Sequence, residues 1–262
     1  MIVRWILICA CAVAIMAPAP IAAQDADSES YQKQAQQAFL EGNEALEDDD
    51  YIEAQRLYTF VRNRFPYSQY AALADLRLGD VYFRQDKFAA SIEQYRGFIK
   101  LHPRHPEISY AAFQVAMSFY GQMPEDWFFM PPAYEKDLSR VLDARREFEY
   151  FLKSYKDAEF ASQARRKLAQ IRRRLADHEF YVAEFYMEKE NYRAAAMRYR
   201  FLLENYSGVG LDARSLFLLA RSYLELKDVR AAKKALDDLI EFHPKSPLAD
   251  DAREYLAQYN LD

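Results

Sequence analysis

The sequence contains little cysteine, glycine or histidine. It has two cysteines, Cys9 and Cys11, and both lie in an apolar stretch at the N-terminus. Without that stretch the chain has no thiol, so it forms no disulfide even in an oxidising compartment. The fold must therefore be stabilised by packing alone.

The six glycines and four histidines also limit the chemistry that the chain can perform. We find no glycine-rich phosphate loop, and no cysteine nucleophile follows the N-terminal stretch. Prolines flank His102 and His105, and no carboxylate or thiol is spaced to complete a metal site with them. We therefore expect no enzyme activity, no cofactor and no metal site.

The charge balance is mild, with a formal net charge of −5. A nucleic-acid-binding protein of this kind would carry a strongly basic face, so we expect no nucleic-acid partner. Hydrophobic residues make up 51% of the chain, which is typical of a protein with a packed core rather than a disordered one.

Residues 1–23 have the pattern of a secretory signal peptide. Arg4 precedes an apolar run over 5–17, and small residues and prolines follow it. The run is too short to span a membrane with flanks. We expect cleavage at the end of this segment, followed by a polar tether over 24–30. The alternative is a lipoprotein cleavage box in which Cys11 is the lipidated first residue.

A period of 37 residues organises the rest of the chain. Gly42 and Gly79 are separated by this period, and so are Ala183 and Ala220. Small residues at these positions let two antiparallel helices approach closely, and prolines such as Pro103 end the second helix. One helical hairpin cannot bury its own apolar face, so successive hairpins must stack.

The residues of each unit resemble the tetratricopeptide pattern, in which small, aromatic and terminal proline positions recur at fixed offsets. This resemblance predicts an all-α solenoid of about five helical hairpins with a C-terminal capping helix. The alternative is a helical bundle with accidental periodicity. We expect an N-terminal half of three hairpins over 31–156 and a C-terminal half over 157–262, joined by a long helix over about 158–188.

An insertion over 121–138 interrupts the third unit. It is rich in proline and aromatic residues and includes Trp127. Such a loop is too rich in proline to be helical and too apolar to lie wholly in water. It either packs on the solenoid as a plug, or forms the rim of a binding site, or contacts a membrane or a partner.

The concave positions of the first helices form a candidate groove for a substrate peptide. Stacked repeats present this side to extended peptides, although aromatic residues at such positions are also typical of a core. The groove residues are Phe39, Asn43, Leu76, Asp80, Phe83, Tyr110, Phe113, Met117 and Tyr120, with Trp127 nearby.

A basic strip recurs on the long helix at 165–167 and 172–174. It is either a solvated face balanced by local acidic residues, or a contact with anionic lipid or an acidic partner.

Three segments resemble the BamD family. They are Arg-Phe-Pro-Tyr at 64–67, His-Pro-Glu-Ile-Ser-Tyr at 105–110 and, as the most specific of the three, Arg-Leu-Ala-Asp-His-Glu-Phe-Tyr-Val-Ala-Glu-Phe-Tyr at 174–186. The resemblance covers about residues 31–245. This family is the five-repeat periplasmic component of the outer-membrane β-barrel assembly machine and is normally a lipoprotein.

The resemblance implies an adaptor on the periplasmic face of the outer membrane, either anchored or soluble. It would receive unfolded barrel substrates in the N-terminal groove and bind the POTRA region of the BamA subunit through its C-terminal half. Arg198 matches a family arginine that pairs with BamA. A different interpretation is a soluble tetratricopeptide adaptor of the Tol–Pal type, and a third is a carrier-like or catalytic subunit.

Overall fold

The computed structural model describes residues 21–124 and 138–259. Within these ranges every regular element is an α-helix, and no strand occurs. The helices are α1 (Ile21–Glu47), α2 (Tyr51–Arg64), α3 (Gln69–Arg84), α4 (Phe88–Leu101), α5 (Ile108–Gly121), α6 (Ser139–Ser154), α7 (Ala161–Glu188), α8 (Tyr192–Tyr206), α9 (Asp212–Glu225), α10 (Val229–Phe242) and α11 (Pro247–Gln258). Five helical pairs and a closing helix are therefore present, which confirms the predicted fold class.

Packing divides the chain into two compact units, and the division falls inside α3. Unit 1 is Met1–Asp75 and unit 2 is Leu76–Asp262. The sequence-based boundary between the two halves, at residue 157, lies inside unit 2. We describe each unit by itself.

In unit 1, α1 packs against α2 through a glycine. A Cβ at Gly42 would lie 2.8 Å from Cε1 of the buried Tyr58, so only glycine permits this close approach. Helix α1 begins at Ile21 rather than near Tyr31, so the predicted tether over 24–30 is helical. No proline or glycine interrupts this stretch, and Glu29 pairs with Lys33 one turn later at 2.6 Å.

The turn inside a hairpin also repeats at the predicted period. Asp49, Asp86, Glu190 and Lys227 each have a positive φ between 55° and 60°, although none of them is glycine. The residue after the turn caps the second helix in three hairpins, where the side chains of Asp50, Asn191 and Asp228 accept a backbone N–H. Asp50, the last residue of the acidic run at 47–50, therefore caps α2.

In unit 2 each helix from α4 to α11 packs against the next, which is the stacking expected of tetratricopeptide repeats. The long helix α7 confirms the helix predicted over about 158–188, but it lies wholly inside unit 2 and does not join the two units. Ala164, Ile171 and Leu175 on one face of α7 are buried, whereas Phe185 near its C-terminal end is 45% exposed. Among the described helices, none has the length and apolar character needed to cross a lipid bilayer.

Candidate functional site

A polar residue on the first helix of a hairpin faces a buried tyrosine on the second helix. In unit 1 the Tyr58 hydroxyl donates to Asn43 Oδ1 at 2.8 Å, across a separation of 15 residues. In unit 2 the Tyr95 hydroxyl donates to Asp80 Oδ1 at 2.5 Å, across the same separation. Asn43 and Asp80 were both assigned to the peptide groove from the sequence, but here each is an acceptor inside its own hairpin.

Asp80 is the centre of a buried network. Its Oδ1 also accepts from the Tyr110 hydroxyl at 2.8 Å, and its Oδ2 accepts from Arg77 Nη1 at 2.6 Å. Burial and the nearby Asp80 charge raise the pKa of both Tyr95 and Tyr110, so the two phenols stay protonated and keep donating. We therefore correct Asp80 from a groove residue to a core residue, because a buried carboxylate needs these donors to remain charged.

Three further groove residues lie in the core. Leu76 is fully buried, and the Phe113 ring, 3% exposed, stacks on Phe160 with 5.0 Å between centroids. In unit 1 the buried Phe39 packs against Tyr58 and Tyr70. For these residues the core alternative holds, since neighbouring helices cover them.

The other predicted groove residues of unit 2 are partly exposed. Phe83 contacts Phe88 edge to face at 5.6 Å, and Met117 is half-buried on α5. The Tyr120 hydroxyl donates to Gln170 at 3.0 Å, and Lys167 Nζ lies 4.1 Å from the Tyr120 ring centroid. Tyr110 is also half-buried. Trp127 and most of the insertion over 121–138 lie outside the described residues.

Arg198 lies on α8 with 44% of its side chain exposed, so part of its guanidinium group faces solvent. Its Nη1 donates to Glu179 Oε2 at 3.0 Å, and the Glu179 side chain is only 11% exposed. This contact was missed in the sequence because it joins α7 to α8 across 19 residues and follows no repeat spacing. Arg198 therefore neutralises a buried carboxylate in addition to facing solvent.

The fourth hairpin keeps the spacing of polar residue and tyrosine but changes its partners. Glu184 and Tyr199 are 15 residues apart, as are Asp80 and Tyr95. However, Glu184 Oε1 accepts from Arg214 Nη2 at 2.5 Å, and the Tyr199 hydroxyl is buried with no hydrogen-bond partner among the described residues. The 15-residue spacing is the sequence signal that could have identified this position.

Part of the basic strip on α7 is tied to the chain itself. Arg173 pairs with Asp177 at 2.8 Å and donates to the carbonyl of Val209 at 2.8 Å. Arg165 donates to the Lys156 carbonyl at 3.1 Å, and Arg174 donates to the Pro124 carbonyl. The pair of Arg173 with Asp177 agrees with the alternative of a solvated face balanced by local acidic residues. The bonds to backbone carbonyl oxygens add a structural role that neither alternative included.

The two turn histidines pack on an aromatic ring. The rings of His102 and His105 lie 5.2 Å and 5.1 Å from Phe98, and His105 Nδ1 accepts the backbone N–H of Glu107 at 3.1 Å. Partial burial and the neighbouring His102 lower the pKa of His105. Among the described residues no three histidine, cysteine or acidic side chains are grouped as metal ligands would be.

The chain matches two protein-family models. A family model described as an outer membrane lipoprotein, YfiO, matches residues 31–235. The chain belongs to this family. A tetratricopeptide repeat model also matches residues 217–262. The resemblance to the BamD family is confirmed by these matches and by the relatives described next.

Two of the proteins that are similar in sequence to this chain are named outer membrane protein assembly factor BamD. The protein of Neisseria gonorrhoeae is 28% identical over 217 residues, which covers 80% of this chain and 79% of the relative. The protein of Vibrio cholerae is 24% identical over 195 residues, which covers 72% of this chain and 80% of the relative. Among solved structures, the TPR2AB domain of yeast Sti1 in its pHSP90 complex matches with a TM-score of 0.44 and 13% identity. The match covers 82% of this chain and 79% of the Sti1 chain.

Proposed function

We propose that this protein is a non-catalytic adaptor in the assembly of outer-membrane β-barrel proteins. The observation that carries the proposal is the family match over residues 31–235, supported by relatives named outer membrane protein assembly factors. Stacked helical hairpins suit this role because they offer long side-chain surfaces to other proteins. The protein acts at the periplasmic face of the outer membrane, either anchored by lipid at Cys11 or soluble after signal cleavage.

Depletion of the protein in its own host tests this function. We expect the abundance of outer-membrane β-barrel proteins to fall, while soluble periplasmic and inner-membrane proteins keep their levels in quantitative mass spectrometry. Unchanged barrel levels would contradict the proposal. A defect confined to envelope constriction would instead support the Tol–Pal type of adaptor.

The substrate contact in unit 2 uses the partly exposed Phe83 and Met117, together with the outer faces of Tyr110 and Tyr120. Phe83 lies at the end of α3 and Met117 on α5, and neither is in the buried core. An apolar surface of this kind suits the aromatic C-terminal strand of an unfolded barrel, since each ring that it covers contributes on the order of 1–2 kcal/mol.

A binding titration with a synthetic barrel C-terminal peptide tests this contact. The double variant Phe83→Ala with Met117→Ala should lower the affinity for a peptide that ends in phenylalanine by about tenfold. Phe242→Ala is the matched control, because Phe242 is 66% exposed on α10. Equal affinity in the double variant and the control would remove this surface from substrate binding.

Arg198 is the proposed docking residue for the POTRA region of a BamA-like subunit. One guanidinium nitrogen is held by Glu179, and the 44% exposed side chain leaves other N–H groups able to bind a partner carboxylate. The pair with Glu179 fixes the guanidinium on α8, so less side-chain entropy is lost on docking.

To measure the effect of Arg198 on docking without an effect on stability, Glu179 and Arg198 must both be replaced by neutral residues. The double variant Glu179→Gln with Arg198→Gln removes the docking cation without leaving a buried carboxylate unpaired. We expect it to lose affinity for the purified POTRA fragment by about tenfold or more. Arg200→Gln is the control, since Arg200 lies two residues away in an exposed pair with Glu204. Wild-type affinity in the double variant would exclude Arg198 from the interface.

A further inference from the structure

A cavity of about 440 Å³ opens between α4, α5 and α6 in unit 2. Its apolar lining comes from Ala112 and Val115 on α5, which are 6% and 3% exposed, and from the half-buried Ile99 on α4. Val115 lies two residues from Met117, which places the two side chains on opposite sides of α5. The cavity is therefore separate from the proposed substrate surface of Phe83 and Met117.

Two tyrosines also line the cavity. Tyr150 on α6 is 59% exposed, and Tyr155 follows the end of α6 with its ring 5.6 Å from the ring of the buried Phe151. Partial burial and the nearby Tyr150 raise the pKa of Tyr155, so its hydroxyl stays protonated and can donate a hydrogen bond. Tyrosines that border an apolar pocket are typical of the centre of a protein–protein interface.

The charged residues of the cavity are mostly basic. Arg96 and Lys100 lie one turn apart on α4, and Arg146 lies on α6. Among the described residues that line the cavity, Glu147 alone is acidic, and it accepts from Arg96 Nη2 at 2.5 Å. Arg146 pairs with Asp143, which is not a lining residue, whereas Lys100 makes no ion pair within the described chain. Even with both pairs formed, Lys100 therefore leaves the cavity positively charged.

The pair of Arg96 with Glu147 joins α4 to α6 across 51 residues of sequence. The Arg96 guanidinium also lies over the Phe119 ring of α5, at 5.2 Å from its centroid. The two helices on either side of the cavity are thus held together without a ligand. Less free energy is lost on binding when a cavity is already formed in the free protein.

We propose that this cavity binds an acidic segment of a partner protein, which inserts one bulky apolar side chain between α4 and α6. The inserted side chain covers Ile99 and Val115 and packs against Tyr150, while carboxylates beside it bind Lys100 and Arg146. The cavity has sufficient volume for one aromatic side chain. The inference does not depend on barrel assembly, because it rests on a surface apart from both contacts proposed for that function.

An NMR titration of the purified protein with 13C-labelled isoleucine methyl groups tests the site. The probe is the peptide acetyl-Glu-Phe-Glu-amide, and Ile99→Val identifies the Ile99 signal. We expect the probe to shift this signal with a dissociation constant of about 1 mM, and to leave the signal of Ile240 on α10 in place. Acetyl-Glu-Ala-Glu-amide, which lacks the ring, and acetyl-Lys-Phe-Lys-amide, which has the opposite charge, should each bind at least about fivefold more weakly.

Two matched double variants test the role of the cations. Lys100→Gln with Arg146→Gln should raise the dissociation constant of the probe by about fivefold or more. Arg230→Gln with Lys245→Gln removes the same charge from exposed positions outside the cavity and should leave the constant unchanged.

Tyr150→Ala tests the aromatic contact and does not endanger the fold, because Tyr150 is 59% exposed. It should also weaken the probe by about fivefold, whereas Tyr67→Ala, at a 91% exposed position in unit 1, should have no effect. An unmoved Ile99 signal, equal affinity for the alanine or lysine peptide, or wild-type affinity in the Lys100 and Arg146 double variant would each overturn the proposal. A shift of Ile99 by anionic phospholipid vesicles but not by the probe would overturn it in favour of a membrane contact.

Discussion

Arg198 on α8 donates to the buried Glu179 on α7 at 3.0 Å, and this bond fixes one helix of the fourth hairpin against the other. The two residues are unequally exposed, with 44% of the Arg198 side chain accessible and 11% of Glu179. Loss of the cation therefore affects a carboxylate that water reaches poorly.

Arg198→Glu should destabilise the protein because it places two carboxylates in contact at a buried position. We expect a loss of about 1–3 kcal/mol in the free energy of unfolding, measured by urea denaturation. Arg200→Glu is the control, and its exposed pair with Glu204 should matter little. If both variants unfold at the same urea concentration, the Glu179 contact contributes nothing to stability.

Alanine substitution at two glycines on neighbouring helices should change the free energy of unfolding in opposite directions. A Cβ at Gly79 would lie 2.5 Å from Cε1 of the buried Tyr95, whereas a Cβ at Gly97 on α4 meets nothing within 4 Å. Gly79→Ala should therefore cost about 1–3 kcal/mol from overpacking. Gly97→Ala should gain about 0.5–1 kcal/mol, since alanine is the better helix former.

Thermal or urea unfolding of the two alanine variants measures both signs in one experiment. A stabilising Gly79→Ala would show that the hairpin can separate without cost. The repeat would then not be specified by close contact between its two helices.

Replacing two buried tyrosines with phenylalanine should distinguish a hydroxyl that makes a hydrogen bond from one that does not. Tyr95→Phe removes a donor to Asp80 and should cost about 1–3 kcal/mol. Tyr199→Phe removes a hydroxyl that has no partner and should be neutral or stabilising. Urea denaturation of both variants checks this, and a large loss in Tyr199→Phe would mean that its hydroxyl is bonded after all.

Alkaline pH should destabilise the Asp80 network. The folded-state pKa values of Tyr95 and Tyr110 are raised, whereas in the unfolded chain these phenols titrate at about 10. Unfolding at higher pH therefore releases protons, so the stability that is fully present below about pH 10 is lost as pH rises further.

Tyr110→Phe should show a shallower decline of unfolding free energy with pH above about 10 than wild type. Urea midpoints measured at several alkaline pH values report the slope. Parallel declines in the two proteins would mean that Tyr110 titrates normally when folded.

The sequence was informative where spacing alone decides the structure. The 37-residue period identified Gly42 and Gly79 as helix crossings, and the long helix predicted over about 158–188 is α7. It could not decide whether Phe113 faces a groove or a core, because that depends on Phe160, which covers the ring from another hairpin. Likewise, the pair of Glu184 with Arg214 depends on three-dimensional proximity rather than on the pattern within one hairpin.

Co-purification tests the adaptor account most directly. The tagged protein is isolated from detergent-solubilised membranes of its host, and its partners are identified and quantified by mass spectrometry. We predict that a large β-barrel subunit with POTRA domains is recovered in near-stoichiometric amount. Recovery of the intact protein without that subunit, or with Tol–Pal components in its place, would contradict the account.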